Sequence, residues 1–428
     1  MTHIDRLIFF TLCLSGVVLP IAVKGFSALF AIAAVLCLIS LIQKRPLKYL
    51  RQHFLGGNLG WVWVLVAYIF ASYFWSATPA FSGALALKLI AFISGFVALL
   101  IWMKNTSFTP AQIKYLAASV SIGVGATFIS GLWMHYTPYL NMASQYINGQ
   151  DLSLWLGYTS EPTRQVNRAL GIASVLIFIC AAFYARSHPK LMVASLIAAI
   201  SISLLSQSQS AALAMIMGVV VFAFAKATTN PMPRLTHRLM IAGFVGAILF
   251  SAPLAKYSFD QPQINNLIPA KLNEVASVNI RRFIFYVYAN DTQGHTLFGR
   301  GLNSDRNYAP AALPDYLRTA QSIPSMASIP AYFENKNTAI IAQHPHYIFL
   351  QFIFNFGIVG GILFLLAVIQ ALRLLLATAP TSHYPYYLAA VSAYCGQFLF
   401  SYSLWQSVMI ASSFVIFIIA MMLHKETA

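Results

Sequence analysis

Residues 347–372 read Tyr-Ile-Phe-Leu-Gln-Phe-Ile-Phe-Asn-Phe-Gly-Ile-Val-Gly-Gly-Ile-Leu-Phe-Leu-Leu-Ala-Val-Ile-Gln-Ala-Leu, with no charged side chain in the run. At a rise of about 1.5 Å per residue, a helix of this length crosses a hydrocarbon core of about 30 Å. Backbone groups in lipid must be bonded within their own segment or in a closed barrel. Barrel strands alternate over short segments, so a continuous apolar run means a helix. Similar runs recur at about 7–23, 26–43, 60–76, 86–103, 115–133, 169–185, 191–207, 211–225, 239–254, 385–404 and 406–424. The expected fold class is an all-α polytopic membrane protein with about 12 transmembrane helices. The whole chain, residues 1–428, reads as a single integral membrane domain.

Composition agrees. The chain is 59% hydrophobic and 8% charged, with a mean hydropathy of +0.71, outside the range of soluble globular domains. The formal charge of +16 comes with no soluble basic domain and no basic-aromatic module, so nucleic acid is not an expected partner and membrane lipid is. Cys13, Cys37, Cys180 and Cys395 all fall inside apolar runs, which excludes a disulfide-stapled external domain and makes them small buried hydrophobes. The amino terminus passes from Met-Thr-His-Ile-Asp-Arg straight into the first run. Pro20 and Lys24 do not resemble a small-residue cleavage site, so that run is read as a permanent span.

Orientation follows from Lys and Arg in the short connections. One set holds Lys44, Arg45, Lys48, Arg51, Lys104, Lys114, Arg186, Lys190, Lys226, Arg234, Arg238 and Arg373; the alternate set holds Lys24 and Lys88. Both termini are expected to be cytoplasmic. Two longer segments then lie on the far side, a smaller loop at 134–168 and a large one at 255–346, and eight of the ten acidic residues fall within them. Stretches 279–290 and 314–320 of the large loop are expected to be short helices, making it a folded cap over the bundle. No short-period repeat and no inverted pair of Gly/Pro-broken spans is visible, which counts against a transporter.

Chemistry is expected in the polar excursion that ends in the opening run, from Asn279 to Gln351. Arg281 and Arg282 precede Phe283-Ile284-Phe285-Tyr286. They read either as an interfacial anchor or as guanidinium groups placed to bind phosphate bidentately. Arg164 and Arg168 come from the end of the other loop, on the same expected side. His344 and His346 stand two apart just before the apolar run. A neutral imidazole suits proton abstraction near neutral pH, while a helix-capping or interfacial histidine is the plainer reading. A metal needs further ligands, and the loop offers only His295 besides, so no metal site is assigned. Gly299-Arg300-Gly301 lacks the third glycine and the strand-helix context of a nucleotide fingerprint and reads as a turn. Ser206-Gln207-Ser208-Gln209-Ser210 reads as a hairpin turn with serine caps.

Taken in order, these pieces resemble the O-antigen ligase family, part of a superfamily with O-antigen polymerases and protein O-oligosaccharyltransferases. The resemblance rests on Asn167-Arg168-Ala169, the Ser-rich turn with Ala211-Ala212-Leu213, and Arg281 ahead of Ile284-Phe285. It continues through Leu297-Phe298-Gly299-Arg300-Gly301-Leu302, His344-Pro345-His346 leading to Leu350-Gln351, and Gly357-Ile358-Val359-Gly360. It covers roughly residues 160–365. Tyr347 stands where the family usually has Asn, Phe285 where Trp is common, and Gln209 where polymerase-like members often carry Arg; the last tilts the reading toward ligase.

The resemblance implies a bacterial inner-membrane glycosyltransferase with its active site on the periplasmic face. The donor it implies is a glycan on undecaprenyl diphosphate, the acceptor lipid A–core oligosaccharide, and the reaction an inverting one that needs no metal and no cofactor. His346, or else His344, deprotonates the acceptor hydroxyl, and Arg281 and Arg168 stabilise the departing diphosphate. Arg282, Arg164 and Arg306 contact diphosphate or glycan. A cleft among the spans takes the polyprenyl chain. The alternatives are an O-antigen polymerase or a protein O-oligosaccharyltransferase with the same donor, and, in another class, a lipid-linked oligosaccharide flippase.

Overall fold

The computed structural model describes residues 1–19, 25–44, 60–148, 160–185, 187–206, 208–228, 233–260, 276–305, 308–323, 326–327, 329–331, 347–378, 381–398 and 406–427. Its helices are α1 (His3–Val18), α2 (Gly25–Lys44), α3 (Gly60–Ala71, extended by a 3-10 turn Ser72–Trp75), α4 (Pro79–Asn105), α5 (Pro110–Asn148) and α6 (Ser160–Tyr184). They continue as α7 (Pro189–Leu205), α8 (Gln209–Thr228), α9 (Pro233–Asp260), α10 (Ala276–Asp291), α11 (Leu313–Gln321), α12 (Ile348–Thr378), α13 (Tyr384–Phe398) and α14 (Ser407–Thr427). No strand occurs among the described residues.

Each of the twelve apolar runs is helical over most of its described length. Among the described residues, six helices are long and apolar enough to cross a membrane: Gly25–Gln43, Pro79–Asn105, Pro110–Trp133, Val166–Tyr184, Ser210–Thr228 and Phe349–Gln370. Gly60–Trp75, Pro189–Leu205 and Ser407–Leu423 are shorter apolar helices. The chain is a membrane protein. Exposed side chains such as Leu87, Ile122, Ile129 and Val220 make sense only where lipid replaces water. Within segment 134–168, α5 runs on to Asn148 and α6 begins at Ser160, so both of its ends are helical. Falling hydropathy ends a membrane segment without ending the backbone bonding of a helix.

Helix α6 is the axis of the bundle. Every residue from Ala169 to Ala182 is buried, the pattern of a helix apolar all round, and α5, α7, α8, α13 and α14 pack around it. At the other end of the chain's first half, Asp5 closes a capping box with Thr2. It also accepts hydrogen bonds from Trp102 Nε1 at 3.1 Å and Ser40 Oγ at 3.4 Å, tying α1 to α4 and α2 through one buried carboxylate.

The helix built from the opening run is broken. Gly357 sits at φ 61°, ψ −167°, a region open essentially to glycine alone. The break leaves carbonyls at the end of one half and N–H groups at the start of the next without helical partners. Residues 296–301 supply them. Arg300 N donates to Phe354 O at 2.9 Å and Gly301 N to Asn355 O at 2.8 Å, while Ile358 N donates to Thr296 O at 2.9 Å and Val359 N to Leu297 O at 3.1 Å. Tyr68 Oη on α3 donates to Phe356 O at 2.9 Å. This broken span, absent from the sequence reading, spends its freed groups on the protein's own loop rather than on a cavity.

The same loop is stitched to the α3–α4 turn. Ala77 N donates to Arg300 O at 3.0 Å, Ser76 Oγ to Leu302 O at 2.9 Å, Thr78 Oγ1 to Asn303 O at 3.1 Å, and Ser82 Oγ to Leu302 O as well. Segment 296–305 is thus held from two sides. Gly357→Ala is expected to cost about 1–3 kcal/mol from backbone strain, with more added because its Cβ would lie 2.4 Å from Leu297 O. The readout is a lowered thermal unfolding midpoint in detergent, and a wild-type midpoint contradicts this account of the break.

Candidate functional site

Two amides on an otherwise apolar helix start the construction. Gln351 and Asn355 lie four residues apart on the first half of α12, hence on one face, and both are buried, at 1% and 0% exposure. Buried amides need partners, and theirs is the carboxylate of Asp305. Gln351 Nε2 donates to Asp305 Oδ2 at 2.7 Å and Asn355 Nδ2 to Oδ1 at 2.7 Å, while Asp305 N donates to Asn355 Oδ1 at 3.3 Å. Tyr288 Oη on α10 donates to Asp305 O at 3.1 Å. Burial, and then the charge of Asp305, push the Tyr288 phenol well above its ordinary pKa, so it remains a donor.

Helix α10 stands where a short helix was expected, and it is amphipathic. Phe283, Ile284, Val287 and Tyr288 are buried against Tyr308, Leu313, Leu350 and Phe354. Arg281 and Arg282 lie beside that face, half-buried, and burial holds both guanidinium groups below their ordinary pKa. They remain cations, and a partly desolvated cation attracts an anion more strongly than one in water. One turn on from Arg281, Phe285 packs on Tyr347, with ring centroids 5.5 Å apart. Tyr347 follows His346 directly in the chain.

Arg300 belongs to the same centre, and the sequence reading left it in a turn. The turn is there, with Gly299 at φ 69° and Gly301 at φ 91°. It aims the Arg300 guanidinium at the rings of Tyr308 and Phe354, 5.3 and 5.4 Å from their centroids, a cation–π geometry. Arg300 Nη2 donates to Asp291 O at 3.3 Å and Tyr316 Oη to Asp291 Oδ1 at 2.7 Å. One signal was present in the sequence, the paired amides in an apolar run; which of the six acids of the large loop they meet was not.

Arg168 is half-buried on α6, immediately before the fully buried column. Val166 on α6 and Tyr347 both pack on the bundle core, and Tyr347 also packs on the α10 cluster. Arg164 lies one turn earlier on α6, with its side chain outside the described residues. His344, His346 and Arg306 also lie outside them. The structure therefore brings α10, which carries Arg281 and Arg282, to the end of α12 that follows the two histidines in the chain, and places Arg168 at the start of the buried column of α6.

Residues 193–365 match the family described as O-antigen ligase. No curated protein and no solved structure matches the chain.

Asn355→Leu is expected to lower stability by about 1–3 kcal/mol by stripping a donor from a buried carboxylate. Combined with Asp305→Asn it should lose less than the sum of the single changes, since both break one interaction. Strictly additive losses in thermal unfolding contradict the pairing.

Proposed function

The chain belongs, across residues 193–365, to the O-antigen ligase family, and from that premise we propose that it is an inverting glycosyltransferase. It moves a glycan from undecaprenyl diphosphate to the lipid A–core oligosaccharide at the periplasmic face of a bacterial inner membrane. The observation that carries the reading is the Phe285–Tyr347 contact. It supports the reading by holding α10, one turn from Arg281, against the residue that directly follows His346 in the chain.

The chemistry follows from what each group can do. His346 removes the proton of the acceptor hydroxyl. The resulting oxygen attacks the anomeric carbon, the bond to the diphosphate breaks with its electron pair, and the configuration inverts. Arg281 and Arg168 meet the negative charge that grows on the leaving diphosphate, as a fixed cation in a partly desolvated site does best. Arg282, Arg164, Arg306 and His344 hold the rest of the diphosphate and the nearer sugars. A polymerase and a protein O-oligosaccharyltransferase share this donor chemistry and differ in acceptor. A flippase instead needs functional charges at the midplane of its spans, whereas the arginines described stand on α10 and at the mouth of α6.

His346→Ala and Arg281→Ala are each expected to cut glycan transfer at least about 100-fold at unchanged protein level in the membrane. Wild-type transfer by both variants removes the assignment. Transfer is also expected to survive a chelator; loss on chelation, restored by one divalent metal, makes the enzyme metal-dependent instead. Purified chain given a polyprenyl-diphosphate glycan with lipid A–core, glycan or protein acceptors decides among the three enzymes by which acceptor gains mass.

A further inference from the structure

Helix α3 is short for a span. Trp61 N at its start donates to Gln370 Oε1 at 2.9 Å, and Gln370 is where the apolar span of α12 ends, one turn before Arg373. From that level α3 and its 3-10 turn rise about 25 Å to Trp75, at about 1.5 and 2.0 Å per residue, and any tilt lowers the figure. A hydrocarbon core measures about 30 Å, so the α3–α4 turn stops inside it.

The break in α12 gives the same answer from another element. Between Gln370 and Gly357 the helix rises about 20 Å, which leaves the break about 10 Å short of the opposite edge of the core. Residues 296–301 are bonded to it, and the deepest of these bonds are those from Ile358 N to Thr296 O and from Val359 N to Leu297 O. A segment carried within a long polar loop therefore stands at the depth of a span.

Its side chains match that depth. Leu297 and Phe298 are 56% and 53% exposed, and Phe298 meets Trp75 edge to face, with ring centroids 6.5 Å apart. Tyr73 and Trp75 are exposed as well, and Phe74 reaches 85%. Facing water, so many apolar side chains in one place are unusual for a protein surface. The same helices carry exposed apolar residues further along, Val64 on α3 and Leu87 and Ile90 on α4, so the patch continues the lipid-facing surface of the bundle. His295 and Thr296, exposed at the start of the segment, set it at the boundary of headgroups and acyl chains, where aromatic rings lodge, and not at the bilayer centre.

We propose that residues 295–301 are a re-entrant segment that forms, with the Tyr73–Trp75 turn, a membrane-inserted surface whose partner is phospholipid. It lies in the leaflet on the side where α12 begins, so segment 255–346 is not water-facing throughout. Continuity with α3 and α4 selects lipid over a second copy of the chain, and the apolar tip selects it over a water-filled crevice. The proposal is independent of the reaction assigned above. Its consequence is an anchor: the segment bonds the broken span at its back and meets acyl chains at its front, which sets the depth of Asp305 and of α10 behind it.

The test places the photoreactive p-benzoylphenylalanine at single positions of the full chain, reconstituted in vesicles of phosphatidylethanolamine and phosphatidylglycerol, and reads adducts by mass after illumination. Phe298→p-benzoylphenylalanine should yield phospholipid adducts, as should the same change at Leu87, while Arg318 on α11, exposed and paired with Asp315, should yield none. A chain–chain adduct from position 298, the absence of any adduct there, or equal lipid adducts from position 318 overturns the proposal. Phe298→Ala and Phe298→Asp supply a second readout, because both remove the contact with Trp75 and only Asp puts a charge into lipid. In the same vesicles Phe298→Asp should unfold about 3 °C or more below Phe298→Ala, and equal midpoints contradict insertion.

Discussion

A transmembrane helix cannot be interrupted without leaving backbone groups that lipid will not satisfy. At Gly357 this chain interrupts one, and residues 296–301 take up the groups released: carbonyls of Phe354 and Asn355 on one side, N–H groups of Ile358 and Val359 on the other. The exchange makes a polar loop part of a span. Because that loop is also bonded to the α3–α4 turn, its position is fixed by the bundle, and so is whatever the loop carries.

What it carries is the link to α10. Asp305 takes amide hydrogens from Gln351 and Asn355, and its carbonyl takes the Tyr288 hydroxyl. Tyr288, Tyr308 and Phe354 form an aromatic knot with centroids 4.7 to 5.3 Å apart. Broken helix, loop and α10 are therefore one rigid assembly, and the arginines at 281 and 282 are displayed from it at a defined height beside Tyr347. On the proposed reading that rigidity is the source of the catalysis, since fixed charges need no reorganisation as the diphosphate departs.

The sequence makes the bundle legible because the lipid constraint acts along one dimension. A run such as 169–185 announces a helix without reference to any partner, and α10 and α11 show themselves by their apolar spacing in a polar loop. The break at Gly357 is hidden for the same reason: Phe-Gly-Ile-Val-Gly stays apolar, and only the loop some 60 residues earlier shows that the helix need not continue. Gln351 and Asn355 bond to Asp305, far from them in the chain. Chemical type alone flags them, as polar groups in apolar surroundings, without saying what they meet. Arg281 and Arg282 were legible as candidates and are half-buried on α10; Arg300, read as part of a turn, proves to be the cation of the aromatic knot.

The central claim is that cations from α6 and α10 and an imidazole from the segment entering α12 converge on one diphosphate at the mouth of the bundle. An experimental structure of the chain with undecaprenyl diphosphate bound tests it most directly. The account predicts the diphosphate in contact with the guanidinium groups of Arg281 and Arg168, with the His346 ring on the side from which an acceptor hydroxyl approaches. A diphosphate bound elsewhere, or Arg168, Arg281 and His346 on separate faces with no common pocket, contradicts it.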